Sequence, residues 1–445
     1  MFLPRSAIFG SAVCLLAGAL IGLSATPAKA QFGPVMSAAG PINRSMGGAS
    51  TAAPLSANGA LMWNPATLSG LKQNELDIGA ELIFPHASLS SGIQAGALGP
   101  AGPPIDLGGK TRSEDSVFAV PAMSLAFRPE NSRFTYGMGA FAVAGYGLNY
   151  PGSTTNPLLT PPPPVGLGFG PIFSQYQVLQ IAPAIVYDVT DSLAISFSPL
   201  LDIGSAQLDP AVFASPNDAN GDGFPTYPHG THSRQSYGAG YSLGAFYRTD
   251  VWGFGASYKS QQWFQPYQFS TANELGLPIT TDFSLNLPAT VSLGTSYQGF
   301  DRWLLAADVR YFDYASTAGF GDKGFTPTGA LRGVGLKSIF ALALGTQYQV
   351  TDAMSLRMGY SWSENPVTSA QATANVASPL VVQNMLSAGA SYQVSNALSL
   401  SLAYTHAFQN SVSGLITLPT GPLPGTSIRS SASVDMVTVG ATVKF

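Results

Sequence analysis

Ser284-Leu285-Asn286-Leu287-Pro288-Ala289-Thr290-Val291-Ser292-Leu293-Gly294 runs toward a turn at Gly299-Phe300-Asp301 and returns as Trp303-Leu304-Leu305-Ala306-Ala307-Asp308-Val309. Large apolar residues take alternate places, and small or polar residues fill the positions between them. Successive side chains of a strand point to opposite faces, so each segment has one greasy face and one small, polar face. Sustained for ~10 residues per segment, with tight turns alternating with long Gly/Pro-rich loops, this pattern marks a transmembrane β-barrel. The same unit recurs from Glu75 to Phe445. Only helices and closed barrels satisfy every backbone polar group inside lipid, and no later segment offers the ~20 unbroken apolar residues of a spanning helix.

Composition agrees. Of 445 residues, 45% are hydrophobic and only 9% charged, with 49 Gly and 34 Pro; soluble domains carry roughly 25% charge. An apolar outer band around a lumen lined by Ser, Thr, Gly and Asn accounts for these proportions, whereas a cytosolic enzyme does not. A net charge of −4 gives no reason to expect a nucleic-acid partner. Residues 1–30 read as a cleaved secretory signal: Arg5 in the n-region, an apolar stretch from Ala7 to Leu23, and Ala28-Lys29-Ala30 as the cleavage site before Gln31. The only cysteine, Cys14, falls within that stretch, so the mature chain is expected to hold no disulfide and no Cys-based metal site. Phe445 ends the chain in the outward register of Val437, Val439, Ala441 and Val443, as a barrel-closing strand would. The expected address is the outer membrane of a Gram-negative cell.

Short connections occur at 128–133, 188–190, 249–250, 299–301, 350–352 and 395–396. Long ones lie near 85–115, 147–173, 204–233, 262–280, 314–336, 363–382 and 410–432. Short turns belong on the periplasmic side and long loops outside, so the chain is expected to form about 14 antiparallel strands with both ends periplasmic. Residues 31–74 differ: they lack alternation and are rich in small residues, as in Gly47-Gly48-Ala49-Ser50-Thr51-Ala52-Ala53. A barrel this wide leaves an open lumen unless something fills it. The expected organisation is a signal peptide (1–30), an N-terminal plug or hatch (31–74) and an all-β transmembrane barrel (75–445).

Several motifs carry a resemblance. Gly47-Gly48-Ala49 precedes Ala60-Leu61-Met62-Trp63-Asn64-Pro65-Ala66-Thr67-Leu68. Downstream stand Leu287-Pro288-Ala289-Thr290-Val291-Ser292-Leu293-Gly294, Ala343-Leu344-Gly345, Leu356-Arg357-Met358-Gly359-Tyr360 and Glu364-Asn365-Pro366-Val367. In combination, over essentially the whole mature chain, these resemble the long-chain fatty acid transporter (FadL-type) family, which includes the toluene and xylene transporters. The resemblance implies a cofactor-free monomer that captures hydrophobic molecules at extracellular loops and passes them into an apolar pocket. It further implies a hatch pivoting about Asn64, Pro65 and Ala66, and a kink in the third strand that releases substrate sideways into outer-membrane lipid. That strand corresponds to about 133–147 and carries Gly137, Gly139 and Gly145; glycine in a strand suits a bulge or bend.

Parity turns Lys259, Arg310 and Arg357 inward, with Asp308, Asp77 and Glu81 as candidate partners. A lipid-facing cation near midplane would cost roughly 2–4 kcal/mol, which favours that orientation. Such cations suit a fatty-acid head group held by charge-assisted hydrogen bonds; a structural ion-pair ladder is the alternative. Ala341 stands where some family members carry Arg, which leaves a neutral aromatic substrate open. Trp263 and Phe264 are candidate apolar loop contacts, or members of an interfacial girdle. Asp218, Asn220 and Asp222 match the first half of a calcium loop, but His229 stands where a bidentate Glu belongs, and a polar turn is the competing reading.

Catalysis finds little support: His86, His229, His232 and His406 lack metal spacing, no G-x-S-x-G elbow appears, and His406 near Tyr404 reads as interfacial. The sequence therefore points to a passive transporter, most readily for long-chain fatty acids, with aromatic hydrocarbons as the alternative. A hydrophilic porin is disfavoured by the plug, and a lipid hydrolase by the missing catalytic set.

Overall fold

A computed structural model describes residues 32–99, 102–114 and 116–445. The segment read as a signal peptide, 1–30, lies outside them. Fourteen strands form the wall. The first seven are β1 (Glu75–Ile93), β2 (Phe118–Phe127), β3 (Phe134–Tyr150), β4 (Ile172–Asp188), β5 (Leu193–Asp209), β6 (Ser236–Arg248) and β7 (Trp252–Lys259). The rest are β8 (Thr290–Tyr297), β9 (Trp303–Phe312), β10 (Ile339–Gln349), β11 (Met354–Ser363), β12 (Asn384–Gln393), β13 (Leu398–Gly414) and β14 (Thr426–Lys444). Each pairs antiparallel with the next, and β14 pairs with β1 from Glu75↔Lys444 to Ile93↔Thr426, so the sheet has no free edge there.

The alternation read from the sequence is the alternation of the wall. Along β9, Trp303, Leu305 and Val309 face outward, while Leu304, Ala306, Asp308 and Arg310 are buried inside. Outward Phe134, Tyr136, Tyr247, Trp252, Trp303 and Tyr392 stand beside the short turns, where an interfacial aromatic belt belongs. Among the described residues no helix is long and apolar enough to cross a membrane.

Connections at the opposite end are long and carry structure of their own. Leu107–Arg112 extends the wall by pairing with Ser88–Ile93 of β1. His229–Ser233, Tyr267–Ala272 and Pro278–Phe283 form a ribbon among the long loops. The loop alternation there is too brief to be distinguished from polar linker by sequence.

Residues 32–70 pack inside the barrel. Helix α1 (Gly40–Ser45) begins with Pro41 in its first turn, where a missing N–H costs nothing. Helix α2 (Ala57–Trp63) is capped by Ser56, whose hydroxyl accepts from Gly59 N at 3.2 Å. Asn64 ends α2, and Pro65 starts a 3-10 turn over Pro65–Gly70. Close approach to the wall requires glycine: Gly47 has φ +64°, and a Cβ on Gly359 of β11 would collide with its main chain.

Candidate transport site

The hatch is fastened to the wall through buried polar groups. Asp308 Oδ2 accepts from Ser50 N (2.8 Å), Thr51 N (2.9 Å), Thr51 Oγ1 (2.9 Å) and Arg310 Nη2 (2.6 Å). Arg310 Nη2 also donates to Gly48 O at 2.7 Å, and its guanidinium lies 3.7 Å from the Trp63 ring centroid. On β1, both oxygens of Glu81 receive the Arg44 fork at 2.7 Å, a bidentate charge-assisted pair. Asp77 and Glu75 accept from the first N–H groups of α2, those of Asn58 (3.3 Å) and Ala57 (2.8 Å). Asn64 Nδ2 reaches both Thr51 O (2.8 Å) within the hatch and Ala245 O (3.0 Å) on β6. Asn64 thus ties two hatch segments to the wall, while Pro65 and Ala66 continue into the 3-10 turn.

Two of the three basic residues named from sequence come together. Lys259 Nζ donates to Met62 O (3.1 Å) and Gln180 Oε1 (3.3 Å), and Arg310 lies under Trp63, so both grip the C-terminal end of α2. Arg310 Nε and Nη1 are buried with no hydrogen-bond partner. Arg357 is elsewhere. It donates to Gln347 Oε1 and Ser391 Oγ, each at 2.6 Å, and lines a cavity of about 660 Å3 beneath the hatch with Gln298, Gln349 and Lys444. Parity gives the face on which a side chain stands, not its height in the barrel; Arg357 lies near the short turn before β11.

Above the cations the lumen is aromatic. Ring centroids run Phe264–Tyr267 (5.8 Å), Tyr267–Tyr176 (6.1 Å), Tyr176–Phe320 (5.9 Å), Phe320–Tyr314 (6.1 Å) and Tyr314–Phe312 (6.1 Å). Phe312 then meets Phe32 (5.5 Å) and Trp63 (6.3 Å), and the Tyr314 hydroxyl donates to Phe32 O. Of the pair Trp263 and Phe264, only Phe264 joins this chain; Trp263 is 53% exposed, as neighbours in an extended segment face opposite ways. Higher still, Phe169, Ile172, Leu208, Val212, Tyr227 and Leu331 line an apolar cavity of about 240 Å3 among the loops. Burial there raises the Tyr227 hydroxyl above its ordinary pKa, and it donates to Gly329 O at 2.8 Å.

The wall ladder is interrupted at two places beside the hatch: between β4 and β5 around Pro183 and Pro199, where the same register resumes, and between β2 and β3. The β2–β3 ladder runs only from Phe127↔Tyr136 to Ala122↔Phe141, stopping beside Pro121, which has no N–H. The other side of β3 slips register against β4 between Ala142 and Ala144, a bulge at Val143. In place of β2, hatch residues 34–36 bond β3: Gly145 N donates to Pro34 O (2.9 Å) and Met36 N to Val143 O (2.8 Å). Above this window Glu114 N rejoins β3 at Asn149 O. The bulge itself falls at Val143, two residues before Gly145. Gly137 and Gly139 are regularly paired on both sides and instead leave room for Leu61 and Leu68 of the hatch, while Gly145 supplies a donor within the window.

The Asp218–Asp222 segment folds as a polar turn. Gly223 N donates to Asp218 Oδ2 (3.1 Å), Asp222 N to Asn220 Oδ1 (3.0 Å) and Phe224 N to Asp222 Oδ1 (2.9 Å). Among the described residues, no group of His, Cys, Asp or Glu has metal-ligand spacing.

A closed antiparallel barrel of 14 strands with an apolar outer face and its N-terminal segment packed inside is the architecture of an outer-membrane protein. The chain belongs to the outer membrane protein transport protein family (OMPP1/FadL/TodX), which it matches over residues 19–445. The fold is shared with the Pseudomonas putida toluene transporter TodX (19% identity, TM-score 0.64), covering 93% of this chain and 99% of that one. The Ralstonia pickettii toluene transporter TbuX is similar too (19% identity, TM-score 0.63, 91% and 98% covered). So is a Pseudomonas aeruginosa FadL homologue (16% identity, TM-score 0.67, 93% and 100% covered). No curated protein matches by sequence.

Proposed function

We propose that this barrel is a monomeric, cofactor-free channel that takes up long-chain fatty acids and releases them sideways into the outer membrane. The observation that carries the reading is the window between β2 and β3, bonded from inside only by hatch residues 34–36. Substrate reaches the apolar loop cavity first, where burial of each CH₂ is worth about 0.8 kcal/mol. It then enters the aromatic lumen above Lys259 and Arg310. Both cations spend donors on hatch carbonyls, Met62 O and Gly48 O, so a carboxylate arriving there competes with the hatch for the same groups. Binding and hatch release are thereby linked, because a ligand shifts an equilibrium only through differential affinity for its two states. The aromatic lumen also favours a second reading, aromatic hydrocarbons, the molecules named for TodX and TbuX.

Val35 and Ala144 form a bridge pair between hatch and wall. A Val35→Cys/Ala144→Cys variant tests the reading, since Cys14 is the chain's only cysteine. Oxidation is expected to abolish uptake of labelled oleate, and a reductant to restore it. Uptake by the oxidised form would refute release through the window. Labelled xylene, supplied in parallel, separates the two substrate readings.

A further inference from the structure

The aromatic lumen contains polar atoms that the transport reading does not use. Tyr176 and Tyr267 are fully buried, Asp202 nearly so; the two hydroxyls have no partner beyond each other, and Asp202 Oδ2 has none. Leaving such a group unpaired costs about 1–3 kcal/mol, and folded proteins seldom do so without a reason.

These groups share one patch. Tyr176 and Gln180 alternate on the inner face of β4, and Gln180 pairs with Asp202 of β5. Tyr267 descends from the ribbon among the long loops, and its hydroxyl rests against Gly204, two residues from Asp202 on the same face. The Tyr176 and Tyr267 rings meet edge to face. Gln180 Nε2 occupies Asp202 Oδ1 at 2.7 Å, and Gln180 Oε1 is taken by Lys259. Two facing phenols carry two protons; if one donates to the other, the second proton still lacks an acceptor. Oδ2 of Asp202 is an acceptor lacking a donor. A carboxylate would meet the charge of Asp202, and a hydrocarbon would satisfy neither group. A hydroxyl satisfies both, accepting from a tyrosine and donating to the carboxylate.

We propose that Tyr176, Tyr267 and Asp202 form a selectivity site for hydroxyl-bearing hydrophobic molecules, phenols foremost, since aromatic rings surround the patch. This inference rests on the transport reading. Tyr267 belongs to a loop element and Tyr176 and Asp202 to the wall, so the site closes as the loop packs down.

The test measures initial uptake of labelled p-cresol, 4-methylanisole, toluene and oleate by cells lacking other such barrels. The cells produce wild type, Tyr176→Phe/Tyr267→Phe or Asp202→Asn. Wild type should take up p-cresol faster than 4-methylanisole, whose oxygen accepts but cannot donate, and faster than toluene. The double Phe variant should lower p-cresol uptake about three- to tenfold, the worth of one or two net hydrogen bonds, with toluene changed less than about twofold; Asp202→Asn should abolish the advantage of p-cresol over 4-methylanisole. Equal losses for p-cresol and toluene, or no loss for either, would overturn the site while transport of oleate or toluene leaves the uptake reading standing. Uptake of none of the four by wild type would remove both.

Discussion

Asn64 spends both Nδ2 protons on carbonyls, one in the hatch and one on β6, and its Oδ1 accepts from Ala66 N at 3.2 Å. Alanine at this position would remove both amide donors and the acceptor for Ala66 N, leaving the buried Thr51 O short of a partner, at a cost of about 1–3 kcal/mol to hatch seating. The expected outcome for Asn64→Ala is amide exchange in residues 50–68 faster by roughly 5- to 150-fold, with the strands as protected as before. Unaltered exchange would mean that the other fastenings suffice. Arg310 and Arg357 make a contrasting pair. Arg310→Met removes the unpartnered Nε and Nη1 and the bond to Gly48, so oleate uptake should fall about tenfold or more, as for loss of a charged hydrogen bond. Arg357→Met should leave it within about twofold, because that side chain serves Gln347 and Ser391 beside the lower cavity. The reverse order would relocate the head-group site. Sequence could not rank these two: both have inward parity, and only the hatch, which meets the wall over long sequence separations, distinguishes them.

Among the elements, the strands were legible and their defects were not. Alternation fixes which residues of β9 or β14 face lipid, because a one-residue slip would invert every side chain. A bulge, by contrast, is defined against a partner: Val143 is extra only relative to β4. Glycine content alone therefore marks neither the bulge residue nor its partner strand, although Gly145 lies two residues from Val143. The hatch helices escaped the same reading because α1 and α2 are six and seven residues long, too short for a helical period to show. The wall glycines that do matter are those facing hatch main chain. Gly359→Ala would drive a methyl into the backbone at Gly47, whereas Gly137→Ala meets only the tips of Leu68 and Leu61. Overpacking of the first kind costs typically about 1–3 kcal/mol. Gly359→Ala should make the hatch cleavable by added protease in otherwise intact barrels, and Gly137→Ala should not. Equal resistance of the two would show that the hatch adjusts at Gly47.

At the scale of the whole molecule, the two exits differ in chemistry. The cavity below the hatch is lined by Gln298, Gln347, Gln349, Gln393, Arg357 and Lys444 together with Ile42, Leu55, Phe300 and Leu304, so axial release would deliver an alkyl chain into a space that is about half polar. Each CH₂ returned to water costs about 0.8 kcal/mol, and an eight-carbon stretch would lose roughly 6 kcal/mol by that route. Through the β2–β3 window proposed as the exit, the chain would pass instead between Ala80, Pro121 and Ala142, small residues with Met36 of the hatch within. The β2–β3 gap thus opens beside mostly small and apolar residues, with Glu81 and Thr438 the polar groups at its inner side. Bulk added at each exit separates them. Ala142→Trp should cut oleate uptake more than about tenfold, because the indole fills a passage bordered by alanine and proline; loss of a transition-state path worth ~1.4 kcal/mol already gives that factor. Gln347→Trp, set in the roomy lower cavity, should leave uptake within about twofold. Loss of uptake in Gln347→Trp with Ala142→Trp unaffected would route the substrate through the hatch into the periplasm, and the interruption beside Pro121 would then be a seam in the wall and not a door.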